Sequence, residues 1–194
     1  KLYYGLKELS TKADKQDDLL VQDFSTLVSA DSEHITVVSE HEKEVKYTFF
    51  KQWIGETLDT ISGLDADKFS GAIAYILLCL SYRIDYMISP EGKLLNQLER
   101  ITGIYFKKDD RPVTEKNRDM AEEYRKIKEL PKEEVYGNLF RSKYTFAIVA
   151  PQPYKTISDS IHAANQNMVW YRDNNYPAIA SQITEYGIAF CQYS

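Results

Sequence analysis

A cysteine and a histidine near the carboxyl end of the chain could carry out nucleophilic chemistry. A cysteine attacks as its thiolate, and a neighbouring histidine forms that thiolate by taking the thiol proton. Cys191 and His162 have the required types, and Asp159 could orient the imidazole. Cys191, however, follows the apolar run 188–190, and a free cysteine in such a run usually acts as a small buried hydrophobe. We therefore predict no catalytic site, and keep a thiol-dependent hydrolase using Cys191 and His162 as the alternative.

The sequence lacks the common motifs for cofactors and metals. It contains no glycine-rich phosphate loop, no G-x-S-x-G elbow and no S-x-x-K pair. His41 begins a stretch that resembles the zinc motif H-E-x-x-H, but Val45 occupies the position of the second histidine. His34 lies seven residues before His41. This spacing places the two histidines two turns apart on one face of a helix or on opposite faces of a strand, and neither geometry suits a shared metal. We therefore predict neither a metal nor a cofactor.

Composition indicates one soluble globular domain over residues 1–194. The chain has 43% hydrophobic and 27% charged residues, and its net charge is -5 with a pI of about 5.3. This acidity argues against nucleic acid or an anionic membrane as the main partner. The longest uncharged stretch, 69–82, is shorter than the roughly 20 apolar residues that cross a bilayer. The first residue is Lys1 rather than Met, so we expect a processed or truncated chain and leave its compartment open.

Aromatic residues in a region with few charges suggest a recognition surface. Tyr154, Trp170, Tyr171 and Tyr176 lie among Asn, Gln and Pro residues, and Tyr and Trp are enriched where proteins bind each other. The alternative is that these rings lie at the edge of the core with their hydroxyls in water. We predict a non-enzymatic protein that binds another protein or a peptide through this surface. An inhibitor or immunity-type protein would fit the size and acidity, while the oligomeric state stays open.

The elements that must position these residues follow from hydrophobic patterns. The stretch 65–88 is predicted to be a helix in which apolar residues from Phe69 to Met87 cover opposite sides, so it is the expected buried centre of the fold. β-Branched and aromatic runs predict a hairpin over 35–50, with strands at 35–38 and 44–50, and C-terminal strands at 144–150 and 186–193. The predicted fold is therefore mainly helical α+β with a small sheet.

The amino-terminal segment shows helical spacing of its apolar residues. They recur from Leu2 to Leu9 and again from Leu20 to Leu27, with the polar stretch 12–18 between the two groups. This pattern predicts one long helix or two short ones.

Overall fold

A computed structural model of the protein describes residues 2–28, 35–142 and 153–192. The structure is 77% helical and has one two-stranded antiparallel sheet, which confirms a mainly helical α+β fold. The strands are β1 (Ile35–Val37) and β2 (Phe140–Ser142). The helices within the described ranges are α1 (Leu2–Asp23), α2 (Glu40–Ser62), α3 (Ser70–Arg83), α4 (Gly92–Phe106), α5 (Val113–Lys128), α6 (Lys132–Gly137), α7 (Tyr154–Asp173) and α8 (Pro177–Gln192).

Helix α3 forms the centre of the fold, as its sequence predicts. It continues as a π-helix over Ile84–Ile88, and the residues before Ser70 form a turn instead of the first turn of the helix. Its neighbours are α2, α4, α5 and α8, which cover an apolar helix from several sides. By length and composition Ser70–Ile88 could also cross a membrane, but 67% of this stretch is buried inside the fold, as in the core helix of a soluble protein.

The main hydrophobic core extends over every helix from α2 to α8. Tyr124 of α5 is fully buried in it. Its hydroxyl donates to the carbonyl oxygen of Leu77 at 2.9 Å and also forms a hydrogen bond with the hydroxyl of Ser81. The one polar group of this large side chain is therefore satisfied, as burial requires.

The predicted hairpin over 35–50 is wrong in its second strand. Residues 44–50 belong to α2, and β1 pairs with β2 instead, with Val37 opposite Phe140. Ser39 caps the amino end of α2, because its hydroxyl accepts from the backbone N–H of Glu42 at 3.2 Å. Ser39 and Glu42 have the S-x-x-E spacing of a capping box. This local signal was present in the sequence, between the two strands that the hairpin prediction placed at 35–38 and 44–50.

The predicted strand over 186–193 is also wrong. Residues 186–192 are the last turns of α8, which packs against both α3 and α7. A continuous apolar run fits a buried strand and a buried helix equally well. Here Ile179, Ile183 and Gly187 are buried at intervals of four residues, which is the spacing of one helix face. The other predicted strand, 144–150, lies outside the described residues.

Helix α1 joins the rest of the fold at its carboxyl end. The Gln22 side-chain oxygen accepts from the backbone N–H of Lys93 at 3.2 Å, in the first turn of α4. The Asp23 carboxylate lies 2.5 Å from the Lys93 ammonium. Beside them the buried Asn138 side chain accepts from the N–H of Leu94 at 3.3 Å. The Gln22 and Asn138 oxygens cap the amino end of α4, whose first N–H groups have no partner within the helix.

A buried lysine closes the other end of α4. The Lys116 ammonium donates to the carbonyl oxygens of Lys107 at 2.7 Å and Tyr105 at 3.3 Å, and it lies 3.0 Å from the Asp109 carboxylate. A cation at a helix carboxyl end offsets the helix dipole and satisfies terminal carbonyls. The hydrogen bond from Lys116, aided by Arg111, lowers the pKa of Asp109 to about 2.

This arrangement predicts how the protein responds to acid. Because the Asp109 pKa is about 2 in the fold against a usual 3.8, its contribution to stability is complete above the usual pKa and is lost as the pH falls toward 2. Lys116→Met should raise the pKa of Asp109 and move acid unfolding to higher pH. Far-UV circular dichroism during an acid titration would measure this shift.

A matched control is Lys155→Met, which removes an exposed ion pair with Asp159. Exposed pairs contribute little to stability, so this variant should unfold at the same pH as the parent chain. Superimposable acid-unfolding curves for Lys116→Met and the parent chain would contradict the role assigned to Lys116.

Candidate binding groove

The structure brings three of the four predicted binding residues together. Trp170 and Tyr171 lie in the last turn of α7, and Tyr176 lies in the connection to α8. Tyr154 begins the same helix, so a rise of about 1.5 Å per residue separates it from Trp170 by roughly 24 Å. The predicted surface is therefore an aromatic cluster with Tyr154 outside it.

The turn between α7 and α8 fixes the cluster. Both the backbone N–H and the side-chain amide of Asn174 donate to the carbonyl oxygen of Trp170, at 3.1 and 2.8 Å. Asn175 follows with a φ of 64°, a left-handed conformation that asparagine tolerates better than most residues. The N–H of Tyr176 then donates to the carbonyl oxygen of Tyr171 at 2.8 Å. The two asparagines thus reverse the chain and return Tyr176 to the end of α7.

The rings stack on one another and on the start of α3. The Trp170 and Tyr176 rings are nearly parallel, with centroids 6.2 Å apart and 10° between their planes. Tyr176 also packs edge-on against Phe69, which is buried, at 5.0 Å. Trp170 remains 50% exposed. The cluster therefore presents a supported indole ring to solvent, and the rings beneath it limit its movement.

An open groove of about 400 Å³ adjoins this cluster, between α3, α7 and α8. Three aromatic residues line it, Tyr75, Trp170 and Tyr171, and the polar groups in its lining include two side-chain amides. None of the described lining residues carries a charge at neutral pH. The lining residues are Gly71, Tyr75, Gln166, Asn167, Trp170, Tyr171 and Ile183.

Two of the lining positions could have been found from the sequence, and others could not. Gln166 and Asn167 precede Trp170 by four and three residues, so on a helix they share its face. Gly71 and Tyr75 come from α3, about a hundred residues earlier in the chain, and no local pattern links them to Trp170. The groove exists because α7 and α8 return to the start of the central helix.

A group of tyrosines continues from the groove along α3. The Tyr75 ring lies 4.9 Å from the Tyr186 ring of α8, and the Tyr186 ring lies 5.9 Å from the Tyr82 ring. Burial, followed by the neighbouring tyrosines, raises the pKa of Tyr186. Its phenol therefore stays neutral at physiological pH, and this side of the groove gains no negative charge.

The predicted catalytic group is only partly within the described residues. Cys191 lies in the last turn of α8, and its side chain is outside the described residues. His162 is exposed on α7, with its Nε2 atom 2.8 Å from the side-chain nitrogen of Gln166. The Asp159 carboxylate accepts from Lys155 at 2.8 Å. A pairing of Cys191 with His162 therefore stays a prediction.

His162 and Tyr154 share a second, smaller hollow of about 310 Å³ on the exposed side of α7. It is lined by one face of that helix, with Ile157 and Ile161 between the two residues. Tyr154 is 85% exposed, so nothing in the described fold holds its ring in one place. This hollow is a weaker candidate for binding than the groove beside Trp170.

The other cysteine is a core residue. Cys79 is fully buried on α3, and burial, followed by the nearby Glu185 carboxylate, raises the pKa of its thiol. Glu185 forms an ion pair with Arg83, whose Nε atom donates to it at 2.6 Å. A thiol in this setting remains protonated and unreactive. Among residues 2–28, 35–142 and 153–192, no group of three His, Cys, Asp or Glu side chains could hold a metal ion.

Comparisons with protein-family models, with curated proteins and with solved structures found no match for this chain. Its function is therefore inferred from the chemistry of the groove. That chemistry is uncharged and aromatic, with amide groups able to donate and accept hydrogen bonds.

Proposed function

We propose that this is a non-enzymatic binding protein whose groove beside Trp170 holds an uncharged segment of a partner protein or peptide. The observation that carries the proposal is the lining, in which Tyr75, Trp170 and Tyr171 face one open groove with two amides. Enzyme pockets usually combine a concave shape with titratable groups whose pKa values are shifted. The described lining of this groove contains no carboxylate, imidazole, amine or thiol. Its titratable groups are the phenols of Tyr75 and Tyr171, and burial raises the pKa of Tyr171, which keeps that phenol neutral.

The lining suggests which peptide chemistry would bind. Aromatic faces bury a large apolar area and pack well against aromatic or proline side chains. The amides of Gln166 and Asn167 can each donate to a peptide carbonyl and accept from a peptide N–H. A charged side chain would lose its hydration here without gaining a partner charge. We therefore expect a segment with apolar or aromatic side chains and a hydrogen-bonding backbone.

The aromatic rings of the groove are held in place before a peptide binds. Trp170 is supported by Tyr176, and Tyr171 packs against the core. Ordering of side chains on binding opposes association, so rings that are already held in place lose less entropy. Trp170 should therefore be the residue whose truncation weakens binding most, as for aromatic residues at other interfaces.

A side chain added at Gly71 should block the groove without disturbing the fold. A Cβ atom built at Gly71 meets nothing within 4 Å, so leucine can enter the open space. A random linear peptide library selected on the immobilised full chain would supply peptide probes. Gly71→Leu should weaken their binding about tenfold or more, measured by calorimetry, while helix propensity keeps the thermal stability equal or higher.

The matched control is Gly103→Leu, at an exposed helical glycine of α4 that also has nothing within 4 Å of a built Cβ. It should leave peptide affinity unchanged, whereas Trp170→Ala should reduce it as strongly as Gly71→Leu. If no peptides were enriched above those selected on an unrelated protein, or if both leucine variants bound equally, the proposal would be refuted.

A further inference from the structure

Helix α1 presents an unpartnered row of apolar side chains. Leu2, Leu6, Leu9 and Leu20 are between 45% and 78% exposed. In most amphipathic helices of soluble proteins such a row faces the core. Here it faces away from the fold over most of the helix length.

The helix extends away from the body that anchors it. The contacts of Gln22 and Asp23 with α4 lie at its carboxyl end, and its 22 residues have a length of about 33 Å. A helix that projects into water gains little from tertiary packing, which supplies most of the stability of helices in proteins. Burial of the apolar row by another surface would stabilise the helix.

The spacing of the row is that of a coiled coil. The seam positions follow intervals of four and three residues. Leu6, Ala13 and Leu20 occupy the a positions, and Leu2, Leu9 and the polar Gln16 occupy the d positions. All seven charges from residue 2 to residue 22 lie outside the seam, namely Lys7, Glu8, Lys12, Asp14, Lys15, Asp17 and Asp18. From Leu2 to Leu20 the seam has no charge and one polar residue, which is typical of a helix that pairs with another helix. The next d residue, Asp23, lies beyond this stretch, where α1 contacts Lys93 of α4.

We propose that α1 pairs in parallel with α1 of a second copy of this chain. In a parallel pair, the g position of one helix faces the e position of the other five residues later. Lys12 occupies g and Asp17 occupies e, so two opposite-charge contacts form across the symmetric seam. Lys12 contacts Glu8 of its own helix at 2.6 Å, and both side chains are more than 60% exposed, so this surface pair is easily exchanged.

The charge of α1 disfavours a membrane as the covering surface. Helices that lie on anionic membranes carry mostly lysine and arginine on their polar face. Between Leu2 and Asp23, α1 has three lysines and five carboxylates. Self-pairing places Lys12 opposite Asp17 at the seam, whereas an anionic bilayer would repel a helix with this net negative charge.

Sedimentation velocity of the full chain over a range of concentrations tests the proposal. Ala13 and Gln16 weaken the middle of the seam, so we expect dimerisation at roughly micromolar concentration. Leu9→Glu should raise the dimer dissociation constant about tenfold or more, because it places two carboxylates together in the seam. Val21→Glu, a matched change at an exposed position outside the seam, should leave the constant within about twofold.

Charge reversal and cross-linking test the orientation. Lys12→Asp should weaken the dimer, and adding Asp17→Lys to the same chain should restore it. In a parallel pair Leu9→Cys residues face each other and should form a disulfide-linked dimer, whereas Val21→Cys should not. A chain that stays monomeric, a dimer insensitive to Leu9→Glu, or a dimer that the second substitution does not restore would each overturn the proposal.

Discussion

Replacement of Leu77 by alanine is expected to lower the free energy of unfolding by about 3 kcal/mol, and by no less than about 2. Leu77 is fully buried in the middle of α3, the helix around which the other elements pack. The loss combines the transfer free energy of the deleted methyl groups with the cavity that the rigid surroundings leave. Equilibrium unfolding in urea, followed by far-UV circular dichroism, would measure the change.

The control for this prediction lies in the same apolar stretch. Met87 is 56% exposed in the π-helix that continues α3, so Met87→Ala should change the free energy of unfolding by about 0.5 kcal/mol or less. Equal losses for the two variants would contradict the burial pattern of α3.

Gly187→Val is expected to lower the free energy of unfolding by about 2–3 kcal/mol. A Cβ atom at Gly187 would lie 2.7 Å from the Cβ of Ala164, closer than two carbon atoms approach without bonding. The valine side chain also adds two further methyl groups at this crossing of α7 and α8, so the helices must separate. Thermal and urea unfolding should both show the loss.

A second substitution distinguishes overpacking from a loss of flexibility. Ala164→Gly removes the methyl group that Gly187→Val would strike, so the double variant should regain part of the lost stability despite having one more helical glycine. Gly103→Val serves as the control, because a Cβ there meets nothing within 4 Å. If Ala164→Gly only added to the damage, the close crossing would not be the cause.

The same substitution links the fold to the proposed function. Ala164 precedes the groove residues Gln166 and Trp170 on α7, and α8 is the main element that holds α7 to the body. Separation of the two helices should therefore weaken peptide binding in Gly187→Val at temperatures where the chain is still folded. Intrinsic fluorescence in a Trp53→Phe background, where Trp170 is the remaining tryptophan, would report the altered surroundings of the Trp170 indole.

The prediction of a strand at 44–50 failed for a definite reason. Residues 44–50 are rich in β-branched and aromatic side chains, yet Tyr47, Phe50 and Ile54 repeat at three and four residues. This spacing places them on one face of α2 against the core. The cap at Ser39 also favours a helix that begins at this point. Weak strand propensity was outweighed by burial of a helical face.

The candidate site was predicted in part. The Trp170, Tyr171 and Tyr176 group could be anticipated because the three residues lie within seven positions in a region with few charges. Tyr154 lies in the same region but at the far end of α7, since composition does not reveal which residues a helix separates. Tyr75 joins the groove only because α3 and α7 are packed together.

The sequence by itself determined the helical character of most of the chain and the place of its most apolar helix. A stretch that is hydrophobic on every side has no stable position except the centre, and this follows from composition and period alone. Tertiary structure decided which strand pairs with β1, whether short apolar runs are helical, and which rings share the groove. Each of these depends on contacts between residues far apart in the chain, and no local pattern encodes the free energy of such contacts.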